Sequence, residues 1–505
     1  MRQESRGRKR GVRPTVARAA DPGLHFGHTS AYEVLAPGLP QRLVDAAFHL
    51  LAEGGAAFDP DSEAPALFAA AGCAVSADGV VRIPKAVVQS ALSTVAKQAR
   101  LWDRNGEDPR ILDNQHTWFF PGMTCIRVYD TVTGEPRQST GADLALITRI
   151  ADALPNIDGV CVACKDVPNS DIHGEIGEFA ILARNTIKPL EFLCEHAESL
   201  GVVIEMASAI RGSRAALAEK PYFLQIVTPL PMNYAKTHVD QVLLAARNGI
   251  PVSVGTLPIG GASSPITAAG CIAQSLATDF AGMTLAQLAC PGSFVIGSSD
   301  VNFMEPATGS IGNLVQTSLA DMVMCQVRRG LGLPSFTGIG GQSAARRFNQ
   351  DAVWEISTNM MQTFYSRPAT CDYLGSLDEG MTYSLHALLL CEDLAGLLRS
   401  LWQGVIVNDE QLALDIATSV GPRGNYLALD HTASHCRDQL WQTRYFGPHI
   451  PTSPSTLPDK DLEARIDADL RRIIDGHVVA DLPAELVRKL DEIRARFAAS
   501  YAAVA

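Results

Sequence analysis

Aromatic side chains gather in the predicted loops of this chain and indicate a site for a cation. Those in or near the loops are Trp118, Phe119, Phe120, Tyr234, Phe348, Trp354 and Tyr373. Rings around an apolar cup attract a quaternary ammonium group by cation–π interaction, at roughly 0.5 to 2 kcal/mol per well-placed ring. Ordinary core packing is the competing interpretation of each ring taken alone. The candidate cage members for a quaternary amine are Trp118, Phe120, Tyr234, Phe348 and Tyr373.

Charged residues near the predicted strand ends could hold the other end of such a ligand. Arg346 and Arg347 follow a glycine-rich turn at residues 338–343, where paired cations could bind a carboxylate or could simply face solvent. The glycines could cradle a phosphate with backbone N–H groups, or only permit a tight turn. Carboxylates near strand ends are too numerous to name an acid–base pair. The polar groups predicted to position the ligand are Glu195, Asp372 and His431.

Two motifs with metal-ligand spacing are better explained without a metal. Cys161 and Cys164 form a C-x-x-C, but they lie in a predicted strand, where residues three apart point to opposite faces. His431 and His435 have i, i+4 spacing, yet neither an acidic partner nor a third ligand accompanies them. The eleven cysteines are scattered and odd in number, which is typical of reduced thiols. We therefore expect no bound metal and no disulfides.

The elements that must position these residues repeat one unit. Short apolar runs that end in small or polar residues alternate with helical stretches at intervals of roughly 30 residues, as in successive βα units. The predicted strands are residues 160–164, 190–194, 222–227, 251–256, 293–297, 335–338, 370–374 and 405–407. Eight parallel strands close a (β/α)8 TIM barrel, an α/β fold whose chemistry takes place at the carboxyl ends of its strands.

Four segments follow from this pattern. Residues 1–20 are predicted as a basic flexible arm, residues 21–155 as an N-terminal extension with helical and β-rich parts, residues 156–410 as the barrel, and residues 411–505 as a C-terminal helical region. The amphipathic C-terminal helices are expected to pack around the barrel or against another subunit, which leaves a homo-oligomer open.

Composition limits the partners of the chain. Its 505 residues are 47% hydrophobic, and the net charge is −12 although the first eighteen residues are basic. An acidic body argues against general nucleic-acid binding. No apolar run has the length of a signal-peptide core or of a membrane span. We therefore expect a cytoplasmic protein without membrane contact.

Two long stretches resemble the central signature of the trimethylamine methyltransferase family. Residues 259–270 read Ile-Gly-Gly-Ala-Ser-Ser-Pro-Ile-Thr-Ala-Ala-Gly, and residues 281–292 read Ala-Gly-Met-Thr-Leu-Ala-Gln-Leu-Ala-Cys-Pro-Gly. Residues 129–137 and 374–384 are similar to the same family, and the resemblance covers nearly the whole chain. The family consists of corrinoid-dependent methyltransferases with a barrel fold. Some members carry pyrrolysine and demethylate trimethylamine, whereas others lack it and act on quaternary amines such as glycine betaine.

The resemblance implies an enzyme that moves a methyl group from a small quaternary or tertiary amine, with a betaine as the predicted substrate, to the cobalt(I) of a separate corrinoid protein. The cognate partner would carry the corrinoid (cobalamin), and this chain would bind no cofactor tightly. A quaternary nitrogen leaves as a neutral amine and needs no general acid. A ring cage and one carboxylate contact, from Arg346 or Arg347, would then suffice.

The chain departs from the family pattern after the sixth predicted strand. A Thr-Asp-x-Lys-like element is common there, whereas residues 342–348 of this chain read Gln-Ser-Ala-Ala-Arg-Arg-Phe. Two alternatives stay open. One is a non-catalytic relative that binds quaternary amines, and the other is a barrel lyase or oxidoreductase that holds a phosphate-bearing cofactor in the 338–343 turn.

Overall fold

The computed structural model describes residues 26–27, 29–130, 133–309, 311, 315–337, 340–436, 439–446 and 462–502, so the arm predicted at residues 1–20 lies outside the described residues. The strands are β1 Ala56–Phe58, β2 Ala74–Val75, β3 Val80–Arg82, β4 Ala99–Leu101, β5 Arg110–Leu112, β6 Trp118–Pro121, β7 Arg127–Tyr129, β8 Pro136–Gln138, β9 Leu190–Phe192, β10 Phe223–Val227, β11 Asn233–Tyr234, β12 Val252–Val254, β13 Ile259–Gly260, β14 Val295–Gly297, β15 Asn302–Phe303, β16 Phe336–Thr337, β17 Thr370–Leu374, β18 Ser376–Leu377 and β19 Thr382–Tyr383.

The helices surround these strands and follow them in the chain. They are α1 Leu39–His49, α2 Ala64–Ala70, α3 Lys85–Thr94, α4 Gly141–Ala153, α5 Ile172–Asn185, α6 Ala197–Arg211, α7 Arg214–Glu219, α8 Lys236–Arg247, α9 Ala268–Ala289, α10 Val315–Gly330, α11 Gln350–Ser366, α12 Leu385–Gln403, α13 Asp409–Leu412, α14 Leu414–Val420, α15 Asp430–His435, α16 Leu462–Gly476 and α17 Ala484–Ala502. A π-helical turn, Leu50–Gly54, and a 3₁₀ turn, Val167–Asn169, complete the set.

Parallel strands close a barrel at the centre of the molecule. One sheet runs β9–β10–β12–β14 and a second runs β16–β17–β6. A bridge between Gly297 and Ser335 joins the two sheets on one side. On the other side, residues 160–164 bridge β9 and the residue Cys125 after β6. Seven strands and the 160–164 segment thus make the eight parallel members of a (β/α)8 barrel, which confirms the predicted fold.

The eighth strand is not the one that the sequence predicted. Residues 405–407 form no strand, and the side chains of Val405 and Val407 are 79% and 70% exposed. The barrel is closed instead by β6, which precedes the other members and pairs in parallel with β17, Trp118 opposite Thr370. A short β-branched run has the same local signature in a loop as in a buried strand, so the prediction of a strand at residues 405–407 was wrong.

A small sheet joins the N-terminal extension to the barrel. β1 pairs in parallel with β11, where Phe58 lies opposite Tyr234, and antiparallel with β3. α9 contacts α1, α2 and α3 of the extension and β12 and β14 of the barrel. Its side chains are buried on nearly every side, as expected of a helix that is apolar around its circumference. The extension and the outer face of the barrel therefore share one hydrophobic core.

An antiparallel hairpin of β4 and β5 covers the amino ends of the barrel strands. The backbone N–H of Trp102 donates to the carbonyl of Pro221 at 2.8 Å, just before β10. The indole N–H of Trp118 donates to the carbonyl of Ile111 at 2.8 Å. The hairpin side chains that reach into the barrel interior are Leu101 and Leu112. This hairpin leaves the carboxyl ends of the strands as the entrance to the interior.

The region after α12 is exposed over a long stretch. Between Trp402 and Tyr445, no described side chain is buried, and several large apolar residues face outward. A homo-oligomer that covers this stretch stays a prediction. No helix in the described part of the chain has the length and apolar character needed to cross a membrane.

Candidate active site

Inward-pointing side chains of the barrel strands form an apolar cluster of their own. Its aromatic members come from β6, β16, β17 and the residue before β14, and they are Trp118, Phe120, Phe294, Phe336 and, partly buried against them, Tyr373. Phe119, between two of these on β6, points outward and stacks on Trp402. Successive residues of a strand face opposite sides, so β6 supplies two rings to the interior. Three predicted cage members are therefore together: Trp118, Phe120 and Tyr373.

Close contact with the neighbouring barrel member holds Phe120. A Cβ added to Gly159 would lie 2.1 Å from Cε1 of Phe120. Glycine is therefore required where the backbone passes the ring. Because Phe120 is also fully buried, its ring has little freedom to turn away from the interior.

Asp372 and Tyr373 lie at an irregularity of β17. The register against β6 shifts between Cys371 and Leu374, and Tyr373 has a φ of 59°. This left-handed backbone is unfavourable for an aromatic residue and persists only where the surroundings impose it. Such strain is concentrated at functional sites. The irregularity brings two consecutive side chains to the barrel interior.

Two carboxyl groups meet inside the barrel. Glu191 on β9 and Asp372 on β17 share a hydrogen bond, and the Thr370 hydroxyl donates to Oδ2 of Asp372 at 3.3 Å. Glu191 is 1% exposed and Asp372 fully buried. Burial raises the pKa of Glu191 to about 7, and burial with the neighbouring Glu191 charge raises the pKa of Asp372 well above its usual range. Both shifts favour the protonated form, so the pair can hold a proton between its two carboxyl groups.

A third buried carboxyl group, Asp300, follows β14. Its charge acts on Asp372, and burial raises the pKa of Asp300 to about 7 against the opposing effect of Arg328. Arg328 itself forms a buried ion pair with Asp279, with 2.6 Å between Nη2 and Oδ2. The same nitrogen donates to the carbonyl of Ser299 at 3.1 Å. This ion pair fixes the loop that carries Asp300.

Charged groups at the entrance already have partners. Lys165, which follows the 160–164 segment, lies 3.1 Å from Oε2 of Glu178 and 3.7 Å from Oε1 of Glu195, measured from Nζ. The side chain of Glu195 is 59% exposed. Its predicted positioning role stays a prediction, and the structure places it at the rim rather than among the interior rings.

Two predicted cage residues lie outside the barrel interior. The ring of Tyr234 stacks on Phe58 with 4.9 Å between centroids, and its hydroxyl donates to the carbonyl of Thr278 at 2.7 Å. Phe348 is buried against His386, with 5.6 Å between ring centroids. The structure does not bring either ring together with the interior cluster.

The predicted carboxylate partners lie on the surface. Arg346 is 89% exposed in its side chain and 3.6 Å from Asp378, and Arg347 forms a 2.7 Å ion pair with Glu135. His431 lies on α15 in the exposed region after α12. The roles of these three residues stay predictions.

The glycine-rich turn is only partly described, because residues 338 and 339 lie outside the described residues. A Cβ on Gly340 would lie 2.1 Å from Sγ of Cys371, and one on Gly341 would lie 2.4 Å from Cα of Leu374. These glycines are therefore needed for close packing on β17.

The cysteine pair is structural in its contacts. The Cys161 thiol donates to the carbonyls of Pro121 and Gly122 at 3.0 Å in the barrel interior, and Cys164 lies at the bridge to Cys125. Among the described residues, no group of three or more His, Cys, Asp and Glu side chains could hold a metal ion.

Sequence reasoning missed several residues of the interior: Glu191, Ser253, Phe294 and Phe336. Glu191 was the easiest to find, because it is an acid inside an otherwise apolar run, 190–194, that was already predicted as a strand. Acidic residues are almost never fully buried unless they have a partner, so an acid within a predicted buried strand is a signal for a functional residue.

A closed eight-stranded parallel barrel, sealed at its amino end and lined with rings and buried carboxyl groups, defines a (β/α)8 barrel enzyme. The chain belongs to the trimethylamine methyltransferase (MTTB) family, whose model matches residues 2–501. It is a methyltransferase that takes the methyl group from a methylated amine. This confirms the family expected from the signature stretches and decides against a lyase or an oxidoreductase.

Relatives match over most of their length. Trimethylamine methyltransferase MttB of Desulfitobacterium hafniense is 26% identical over 95% of this chain and 93% of that protein. A glycine betaine methyltransferase of Desulfitobacterium hafniense is 25% identical over 81% of this chain and 86% of that protein. Among solved structures, the hydroxylamine complex of MtmB aligns with a TM-score of 0.49 and 12% identity, over 88% of this chain and 89% of that one.

Proposed function

We propose that this protein transfers a methyl group from a small quaternary ammonium compound, with a betaine as the preferred substrate, to the cobalt(I) of a separate corrinoid protein. The observation that carries the proposal is the grouping of aromatic rings with buried carboxyl groups inside the barrel. Electron-rich rings attract a quaternary ammonium group, and buried acids supply the opposite charge. Similarity to a glycine betaine methyltransferase supports a substrate that bears a carboxylate.

The barrel residues bind and orient the substrate. Trp118, Phe120 and Tyr373 surround the methylammonium head and direct one methyl group toward the entrance. The corrinoid, when its protein is docked, supplies the nucleophile that accepts the methyl group. The departing nitrogen is neutral, so no side chain has to protonate it. The apolar lining and the hairpin at the amino end exclude water from the interior.

The carboxylate of a betaine would lie toward the entrance, because the acids Glu191 and Asp372 repel it from the interior. Arg346 and Arg347 are the proposed carboxylate partners. Both already contact acidic side chains at the surface, so substrate binding would exchange one carboxylate for another.

The protein works in the cytoplasm, it holds no cofactor tightly, and its cognate corrinoid protein docks at the carboxyl ends of the barrel strands. A homo-oligomer would leave that end of each barrel accessible.

Binding and methyl transfer are measured separately. The purified protein is titrated with glycine betaine, choline and trimethylamine, and each ligand is then offered with reduced cobalamin as the methyl acceptor while methylation of cobalt is followed by absorbance. We expect the quaternary amines to bind and at least one to support methylation. If no quaternary or tertiary amine binds, the proposal is wrong.

A non-catalytic relative that binds quaternary amines is the second candidate. The observation that favours it is the departure from the family pattern at residues 342–348. Tight binding of a quaternary amine without methylation of reduced cobalamin or of any corrinoid protein would support this candidate.

A further inference from the structure

The buried carboxylates of this fold fall into two groups. Several have a basic partner, among them the pairs of Asp279 with Arg328, Asp158 with Arg399, Glu178 with Lys165 and Glu392 with Arg444. Glu191 and Asp372 form no ion pair with any basic side chain in the described part of the chain. A buried charge without compensation is costly. The two neighbouring carboxyl groups are therefore open to a cation from outside.

The Glu191–Asp372 pair also has unused hydrogen-bonding capacity. Oε2 of Glu191 and Oδ1 of Asp372 have no hydrogen-bond partner. Buried polar atoms are normally satisfied by protein or by a bound molecule. The open oxygens can therefore accept a hydrogen bond or face a positive charge from a bound molecule.

A separate group points to the same ligand. The hydroxyl of Ser253 on β12 is fully buried and without a partner. Its register partners are Ile226 on β10 and Ile296 on β14, which both belong to the interior cluster. Neighbours in register share a face of the sheet, so Ser253 also faces the barrel interior. The carboxyl pair and this hydroxyl are thus open polar groups inside a barrel lined with rings.

We propose that Glu191 and Asp372 are together the counter-ion for the ammonium head of the substrate, and that the pair holds one shared proton in the empty site and releases it when a quaternary ammonium group binds. This inference rests on the proposed function, because it requires a methylated amine in the barrel interior. The proton passes to solvent, and no bond of the substrate breaks in this step.

Neighbouring thiol and phenol groups do not take part in this proton release, which the carboxyl groups alone account for. Those whose charge would act on the pair are Cys161 from the 160–164 segment, Cys371 and Tyr373 on either side of Asp372, and Asp300 from the β14 side. Burial raises the pKa of the two thiols and of the Tyr373 phenol, so all three stay protonated at neutral pH. Asp300 is the remaining acid that can share in the release.

Proton counting by calorimetry tests the inference on the wild-type chain. Tetramethylammonium and glycine betaine are titrated near pH 7 in two buffers that differ in ionisation enthalpy. We expect release that approaches one proton per bound ligand and an affinity that rises with pH below about 7, by up to about tenfold per unit. Binding without proton release, and with an affinity independent of pH, overturns the inference.

Two isosteric variants identify the groups. Glu191→Gln and Asp372→Asn should each weaken tetramethylammonium at least about tenfold and abolish the proton release, whereas neutral 3,3-dimethylbutanol should bind as it does to the wild type. Glu205→Gln, at an exposed position on α6, is the matched control and should change nothing. Equal weakening of the neutral and the cationic ligand would indicate a purely structural role and overturn the inference.

The Glu191→Gln variant should fold as the wild type does, so its change in ligand binding can be assigned to the lost carboxyl group. Glu191 has no basic partner to lose, so its replacement by glutamine should not lower the midpoint of thermal unfolding. If no amine binds the wild type, the proposed function fails. If amines bind and the variants retain both affinity and proton release, only the counter-ion inference fails.

Discussion

The carboxyl groups of Glu191 and Asp372 share a hydrogen bond although β9 and β17 do not pair with each other. Between these strands, around the barrel, lie β6 and the 160–164 segment. The contact therefore crosses the barrel interior and exists only because β6 closes the barrel. The candidate site is a property of the closed structure, and no single βα unit contains it.

Replacing Phe120 should weaken quaternary ligands without a large effect on the fold. Phe120→Leu removes an interior ring, and we expect a loss of about 0.5 to 2 kcal/mol in binding free energy for every quaternary amine. The neighbouring Phe119 points out of the barrel, so Phe119→Leu is the matched control. Calorimetric titration of both variants with choline measures the difference. An equal effect of the two substitutions would contradict the cage.

Gly159→Ala should disturb the packing of the Phe120 ring. The new Cβ would lie 2.1 Å from Cε1 of Phe120, so either the ring or the backbone must shift. Overpacking of this kind typically costs about 1 to 3 kcal/mol of stability, which urea unfolding measures, and we expect weaker ligand binding as well. Gly201→Ala, in α6 with nothing within 4 Å of the added Cβ, should instead stabilise slightly. Unchanged stability of Gly159→Ala would show that Phe120 is free to move.

The surface arginines should affect ligands according to their charge. Arg346→Ala and Arg347→Ala remove exposed ion pairs, which contribute about 0 to 1 kcal/mol, so stability should hardly change. If either arginine binds the substrate carboxylate, its variant weakens glycine betaine and spares choline. Arg496→Ala, another exposed ion-pair residue, serves as control. If neither arginine variant changes the affinity for glycine betaine or for choline, the arginines do not belong to the site.

Stability relative to Glu191→Gln should fall as the pH rises. The pKa of Glu191 is raised to about 7 from its usual 4.5, so between these values the folded state binds more protons than the unfolded state. The free energy of unfolding of the wild type then decreases from about pH 4.5 through about pH 7, by an amount on the order of 3 kcal/mol, while the glutamine variant lacks this contribution. Urea unfolding at pH 5, 6, 7 and 8 measures the difference. Parallel curves for the two proteins would contradict it.

The sequence was sufficient for the fold class but not for the closing strand. Seven of the eight predicted runs belong to the barrel. These seven were predictable because the helical stretches on either side of each are long enough to be recognised in the sequence. Residues 405–407 were chosen as the eighth since they are β-branched and follow α12. Periodicity along the chain does not say which end supplies the last strand, and β6 was hidden in a β-rich segment of other strands.

The site was predictable only in part for a related reason. Trp118, Phe120 and Tyr373 were found by residue type, and they share the interior. Tyr234 lies just beyond a predicted strand in the chain, yet a short strand of its own carries it to the N-terminal extension. Nearness to a strand end in sequence does not determine the face on which a side chain lies. Glu191 was missed because it lies near the start of its predicted strand, 190–194, whereas the site was expected at the carboxyl ends of the strands.

The hairpin of β4 and β5 covers the amino end of the barrel, so among the described residues the carboxyl ends of the strands form the entrance. Under the proposed function, the amine and the protein that carries the methyl acceptor must use this entrance in turn. The amine binds first, and the acceptor protein then docks over the entrance. The demethylated product is retained until the acceptor protein dissociates. Dissociation of the acceptor protein would then limit the rate of turnover. An excess of the acceptor protein would inhibit the enzyme by capping chambers that are still empty.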